Sequence, residues 1–159
     1  MTTSNLWEAS KLLRIRTGPE IVGGFDVGFD RAVPEATRDL LMRFAYWVED
    51  HYPMPVTLWV DFKYRHYLRN REKKPVDYLF YWADFQNYPA FENPDDIPVI
   101  YLPVRMEGRQ QGELLRAFAT GITEYFAWLG GLDMGSFSPE AGEVEEILEA
   151  YRKENPDFP

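Results

Sequence analysis

Between Gly112 and Leu129 the residues Leu114, Leu115, Phe118, Ile122, Tyr125, Phe126 and Leu129 recur at three- and four-residue spacing, and Gly130-Gly131 follow. That spacing places them along one wide apolar stripe of a helix, which a glycine pair then ends. A stripe this broad must be covered along most of its length. The remaining chain therefore has to supply a sheet and further helices around it.

Those elements are legible. Pro34-Glu35 suit the first turn of a helix, and Leu40, Leu41, Phe44, Trp47 and Val48 carry it to about His51, where Pro53 and Pro55 stop it. Val56, Leu58, Val60, Phe62 and Tyr64 then alternate with Thr57, Trp59, Asp61 and Lys63, the period of a strand with one buried face. Val76 to Phe85 reads as a second strand, joined to the first through the polar stretch Arg65–Pro75 as a hairpin. Val99 to Leu102 reads as a third, with nearby prolines placing it at an edge or marking strand ends. Gln86 to Pro98 is expected to be an ordered loop.

At the termini, Ser4 caps an expected short helix to about Leu13, and Ser138-Pro139-Glu140 open a last helix with Val144, Ile147, Leu148 and Tyr151 inward. Residues 155–159 are expected to fray. The glycine-rich stretch Gly23 to Asp30 reads as a turn or short hairpin, since it matches neither a phosphate loop nor an EF-hand. The expected fold is a single α+β domain over 1–159. Its small twisted sheet of three to four strands is mostly antiparallel, packed on a backing helix, the central helix and a C-terminal helix.

Composition limits the chemistry more than the fold. The 159 residues include no cysteine and two histidines, His51 and His66. Disulfides and thiol nucleophiles are excluded, and a cytoplasmic location is expected. No apolar run reaches the ~18 residues of a membrane helix, and Met1 to Arg16 lack signal-peptide organisation. A formal net charge of −9 weighs against nucleic-acid binding. Aromatic residues at 16% can pack a core or line a pocket.

The element order, with Thr120-Gly121-Ile122-Thr123-Glu124-Tyr125 on the central helix and a glycine break after it, resembles the zincin fold of compact bacterial metallopeptidases. In that family the central helix carries HExxH: two histidines bind zinc and the glutamate is the general base. The resemblance aligns Thr120 and Glu124 with the ligand positions, Gly121 with the base and Phe137 with the third ligand. Threonine is a poor zinc ligand, glycine moves no proton, and one carboxylate does not hold zinc. The resemblance thus implies a zincin-like domain without metal or cofactor, inactive as a zinc peptidase and serving to bind an unidentified protein or small molecule. Tyr101, Trp128 and Asp84 are expected to line the cleft.

Two other features carry candidate chemistry. Asp61, Asp77 and Asp84 with Glu124 offer carboxylates for metal-independent acid–base catalysis in that cleft. Glu113, Thr120 and Glu124 fall on one side of the central helix: a solvated face, unless Glu124 points inward and takes Arg105, Arg109 or a raised pKa. Gly121 either clears space for a ligand or allows close packing. Finally, Lys63 to Lys74 contains six basic residues and one acid, so this run carries +5 and the rest of the chain −14. Arg65, Arg69, Arg71, Lys73 and Lys74 form either a hydrated hairpin tip or a docking surface, for instance for the Glu140–Glu149 helix of a second copy in a homodimer.

Overall fold

The alternation of Phe25, Val27 and Phe29 with Asp26 and Gly28 makes a strand that turns three apolar side chains to one side, and the rest of the fold is assembled on that side. In a computed structural model, which describes residues 23–81, 98–104, 111–132 and 138–157, this segment is β1 (Phe25–Phe29). Helix α1 (Glu35–His51) carries the chain back to β2 (Leu58–Lys63), which pairs with β1 in parallel. A two-stranded hairpin follows, β3 (Leu68–Arg69) and β4 (Pro75–Val76), then β5 (Leu79–Tyr81) and β6 (Val99–Pro103). Helices α2 (Gln111–Leu129) and α3 (Ala141–Glu154) complete the described chain.

The four-stranded sheet runs β1-β2-β6-β5, with β1, β2 and β6 parallel and β5 antiparallel to β6. The α+β class stands, but two of the three pairings are parallel where a mostly antiparallel sheet was expected. Three local causes account for this. Helix α1 supplies the crossover connection that the parallel pairing of β1 with β2 requires. The glycine-rich stretch enters a strand: Gly23 and Gly24 take φ of +77° and +71°, and a Cβ on Gly23 would lie 2.3 Å from the Met54 carbonyl oxygen. The connection after β2 closes on itself as the β3–β4 hairpin, so β2 never pairs with β5, and β6 inserts between them. Its prolines mark strand ends, not an edge.

The three described helices lie on one face of the sheet. Phe44 of α1 meets Phe118 of α2 at 5.5 Å and Tyr151 of α3 at 4.9 Å, while Phe118 also meets Phe25 and Phe62 of the sheet. Helix α1 packs under β1, α2 under β6 and β5, and α3 against α2. One buried cluster joins Leu41, Phe44, Leu58, Phe62, Ile100, Phe118 and Tyr125 with their neighbours. The opposite face presents Asp26, Gly28, Trp59 and Tyr81 to solvent, Trp59 at 45% and Tyr81 at 42% exposure.

Helix α2 ends as the glycine pair requires. Gly131 takes φ +74°, and the amides of Gly131 and Leu132 bond back to the carbonyls of Trp128 and Ala127. Within the tail expected to fray, the Arg43 guanidinium bonds Asn155 Oδ1 and both carboxylate oxygens of Asp157 at 2.8–3.1 Å, and residues 158–159 lie outside the described residues. The expected helix from Ser4, residues 86–97 of the expected loop, and residues 82–85 of the expected second strand lie outside the described residues.

Candidate functional site

Helix α2 approaches β6 so closely that position 121 has no room for a side chain. A Cβ there would lie 2.8 Å from Ile100 Cδ1 and 3.1 Å from its Cγ2, and Ile100 is fully buried. Close packing, not a ligand cleft, therefore accounts for Gly121. One turn on, Glu124 is partly buried where α2 runs beneath β5, and Tyr78, the residue before β5, donates its hydroxyl to Glu124 Oε1. Burial pushes the Glu124 carboxyl above its ordinary 4.5, and the Tyr78 hydrogen bond pulls it partly back. The Tyr78 phenol is raised by burial first, then by the charge of Glu124 and the bond to it. The result is a part-buried carboxyl clamped to a phenol.

The other positions aligned on this helix turn inward on the backbone. Thr120 Oγ1 bonds the Arg116 carbonyl at 2.7 Å, and Thr123 Oγ1 bonds the Thr120 carbonyl at 2.7 Å. Trp128, expected to line a cleft, is fully buried, 6.4 Å from the Tyr125 ring. Tyr125 is equally buried, and its hydroxyl donates to the Val56 carbonyl. Tyr101, also expected to line the cleft, alternates with the buried Ile100 and Leu102 and so lies on the opposite side of the sheet. There it contacts Tyr81 at 5.6 Å and lies under Lys63 Nζ at 6.0 Å. Period-2 alternation from Ile100 would have shown this. Asp84, Arg105, Arg109 and Phe137 lie outside the described residues.

The carboxylates do not converge on Glu124 among the described residues. Asp61 is on the outer sheet face, 2.9 Å from Lys63 Nζ, and Asp77 is exposed. Nor do the described residues at the aligned positions fit zinc. The Thr120 hydroxyl is committed to the helix backbone, position 121 has no side chain, and Glu124 is committed to Tyr78. His51, at the end of α1, stacks on Trp47 at 4.3 Å and bonds Glu154 at 2.9 Å. His66 is exposed on the bend after β2. No group of three or more His, Asp or Glu among the described residues is placed to hold a metal ion. None of the described helices is long and apolar enough to cross a membrane.

The basic run forms an ordered arm. Leu68 pairs with Val76 and Arg69 with Pro75; Asn70 and Lys74 exchange backbone and side-chain bonds. Arg69 bonds the Lys73 carbonyl at 2.7 Å and lies over the Tyr67 ring at 5.0 Å. Arg65, Arg69, Arg71, Lys73 and Lys74 are all exposed. The acidic helix suits this arm less well than its sequence promised. Glu143 is buried with its carboxyl raised, chiefly by burial, and Glu145 is ion-paired to Arg116.

Two features escape sequence reasoning. Tyr78 merges into a long expected strand, although a Tyr-rich edge opposite a lone helical carboxylate is an available signal. On α1, Asp39, Met42, Arg43, Tyr46 and Asp50 stand at i, i+3, i+4, i+7 and i+11, one side of the helix, and with Trp47 they line a surface cavity of about 500 Å³. Comparison with known protein families, with curated proteins and with solved structures finds no match to the chain.

Proposed function

We propose that the chain is a non-hydrolytic interaction domain, zincin-like in its arrangement, in which α2 stands where a metal-binding helix would stand but serves as a structural beam. The observation that carries this reading is the Tyr78–Glu124 bond. The one carboxylate at the aligned positions of α2 is spent on tying the helix to the strand edge above it. The sequence of β6, α2, a glycine break and α3, with α2 beneath the β6–β5 edge, supports the arrangement. Partner recognition then falls to the exposed surfaces: the basic arm and the wet side of α1. The competing reading, a metal-independent enzyme using paired carboxylates, finds only Glu124 and Tyr78 at this place among the described residues.

Protein purified without chelator, then supplied with zinc and a mixture of unstructured peptides, tests the proposal. Metal content well below one zinc per chain and no cleavage above a blank are expected. Stoichiometric zinc with cleavage that a chelator abolishes would overturn it, and cleavage that survives the chelator but not Glu124→Gln would favour the carboxylate enzyme.

A further inference from the structure

The wet side of α1 is built to accept positive charge. Asp39 and Asp50 flank Tyr46, at 59% exposure the most exposed large aromatic among the described residues, in the cavity of about 500 Å³. The cavity's own cation is already occupied: Arg43 is held by Asp157 and Asn155. Asp39 and Asp50 engage no cation among the described residues. Two uncompensated carboxylates around an open phenol ring form a receptor for ammonium or guanidinium groups, which carboxylates pair and ring faces attract.

The same chain carries the matching group. The β3–β4 arm, Leu68 to Val76, has four basic residues and one acid, so it carries +3 on a chain that is −12 elsewhere. Its tip is pre-ordered by the Asn70–Lys74 bonds, so little conformational entropy remains to be lost on docking. Lys73 holds a φ of +62°, a conformation glycine adopts freely and lysine does not, yet a lysine stands there. Arg71, Lys73 and Lys74 form no ion pair among the described residues.

We infer that the basic arm of one copy docks in the α1 groove of a second copy, and that the contact is reciprocal about a two-fold axis. Size decides for reciprocity. A two-stranded arm about 10 Å wide and ~16 Å long covers far less than the roughly 800 Å² per partner of a stable association, so a single contact is insufficient. A two-fold pair doubles it, and the expected dimer is weak, with a dissociation constant on the order of 100 µM at low salt. This inference uses neither Tyr78 nor Glu124, so its failure would leave the reading of α2 untouched.

Sedimentation equilibrium over a wide concentration range tests it on the full chain. Dimerisation is expected at low salt, weakened at least about tenfold in 0.5 M salt. Asp39→Lys with Asp50→Lys, and separately Lys73→Glu with Lys74→Glu, should each abolish it while leaving the far-ultraviolet dichroism unchanged. An equimolar mixture of the two double variants should dimerise again, because each contact of the mixed pair then joins opposite charges. A wild-type chain that stays monomeric at low salt overturns the inference. So does either double variant dimerising as the wild type does, or a mixture that stays monomeric.

Discussion

Helices α1 and α2 are similar in length, 17 and 19 residues, yet they meet water in opposite ways. On α1 only Leu41, Phe44, Ala45, Trp47 and Val48 are buried, and the other side is a charged, aromatic groove. On α2 almost every position from Leu114 to Leu129 is buried: strands β5 and β6 lie on one side, α3 on another, and Phe44 of α1 reaches Phe118. A helix enclosed this way has little surface for chemistry, and each polar group it keeps must find an internal partner. Thr120, Thr123 and Glu124 all do. The helix whose sequence resembles a catalytic one is thus the more enclosed of the two, while α1 keeps an open, charged side.

If that contrast holds, substitutions in α2 should cost stability and substitutions on the wet side of α1 should not. The largest effect is expected from Gly121→Leu, which forces the helix off Ile100 and should lower unfolding free energy by roughly 3 kcal/mol in urea titrations. Tyr125→Phe leaves the Val56 carbonyl without its hydroxyl donor and should cost about 1–2 kcal/mol by the same measurement. Smaller still are the changes at the sheet edge. Tyr78→Phe should cost on the order of 1 kcal/mol and raise the Glu124 carboxyl further, since the bond that holds it down is gone.

Glu124 also sets a pH dependence whose sign is fixed by its raised pKa. The folded chain binds this proton more readily than the unfolded chain. The stability it contributes is therefore fully present below the ordinary value of 4.5 and is lost as pH rises through the folded value. Glu124→Gln should remove that decline, so the variant gains on the wild type as denaturation is followed from pH 4.5 upward. Least of all, Asp39→Lys with Asp50→Lys should move stability by no more than about 0.5 kcal/mol. A large loss at these two positions would break the comparison.

The helices and β2 were legible because burial imprints a period on them: α1 from Glu35 to His51 and α2 up to its glycine break follow directly from apolar spacing. Strand direction was not legible. Whether β2 pairs with its sequence neighbour or with β6 depends on where the Lys63–Val76 segment turns, and that turn is closed by Asn70 and Lys73 without a glycine. At the site, Glu124 and Gly121 were identifiable as positions needing an explanation. Their explanations, Tyr78 and Ile100, lie 46 and 21 residues away in sequence and only the sheet brings them there. On α3 the run of glutamates does not reveal that Glu145 pairs with Arg116 or that Glu143 is buried, because both depend on the packing of α3 on α2.

Glu124, held by Tyr78 as an internal group, is what separates a beam from a catalytic helix. Carbon-detected NMR titration of its carboxyl, with and without equimolar zinc, tests this most directly. The expected result is a midpoint above 4.5 that zinc leaves in place and Tyr78→Phe raises. A midpoint at the ordinary value, or one that zinc displaces, would contradict it.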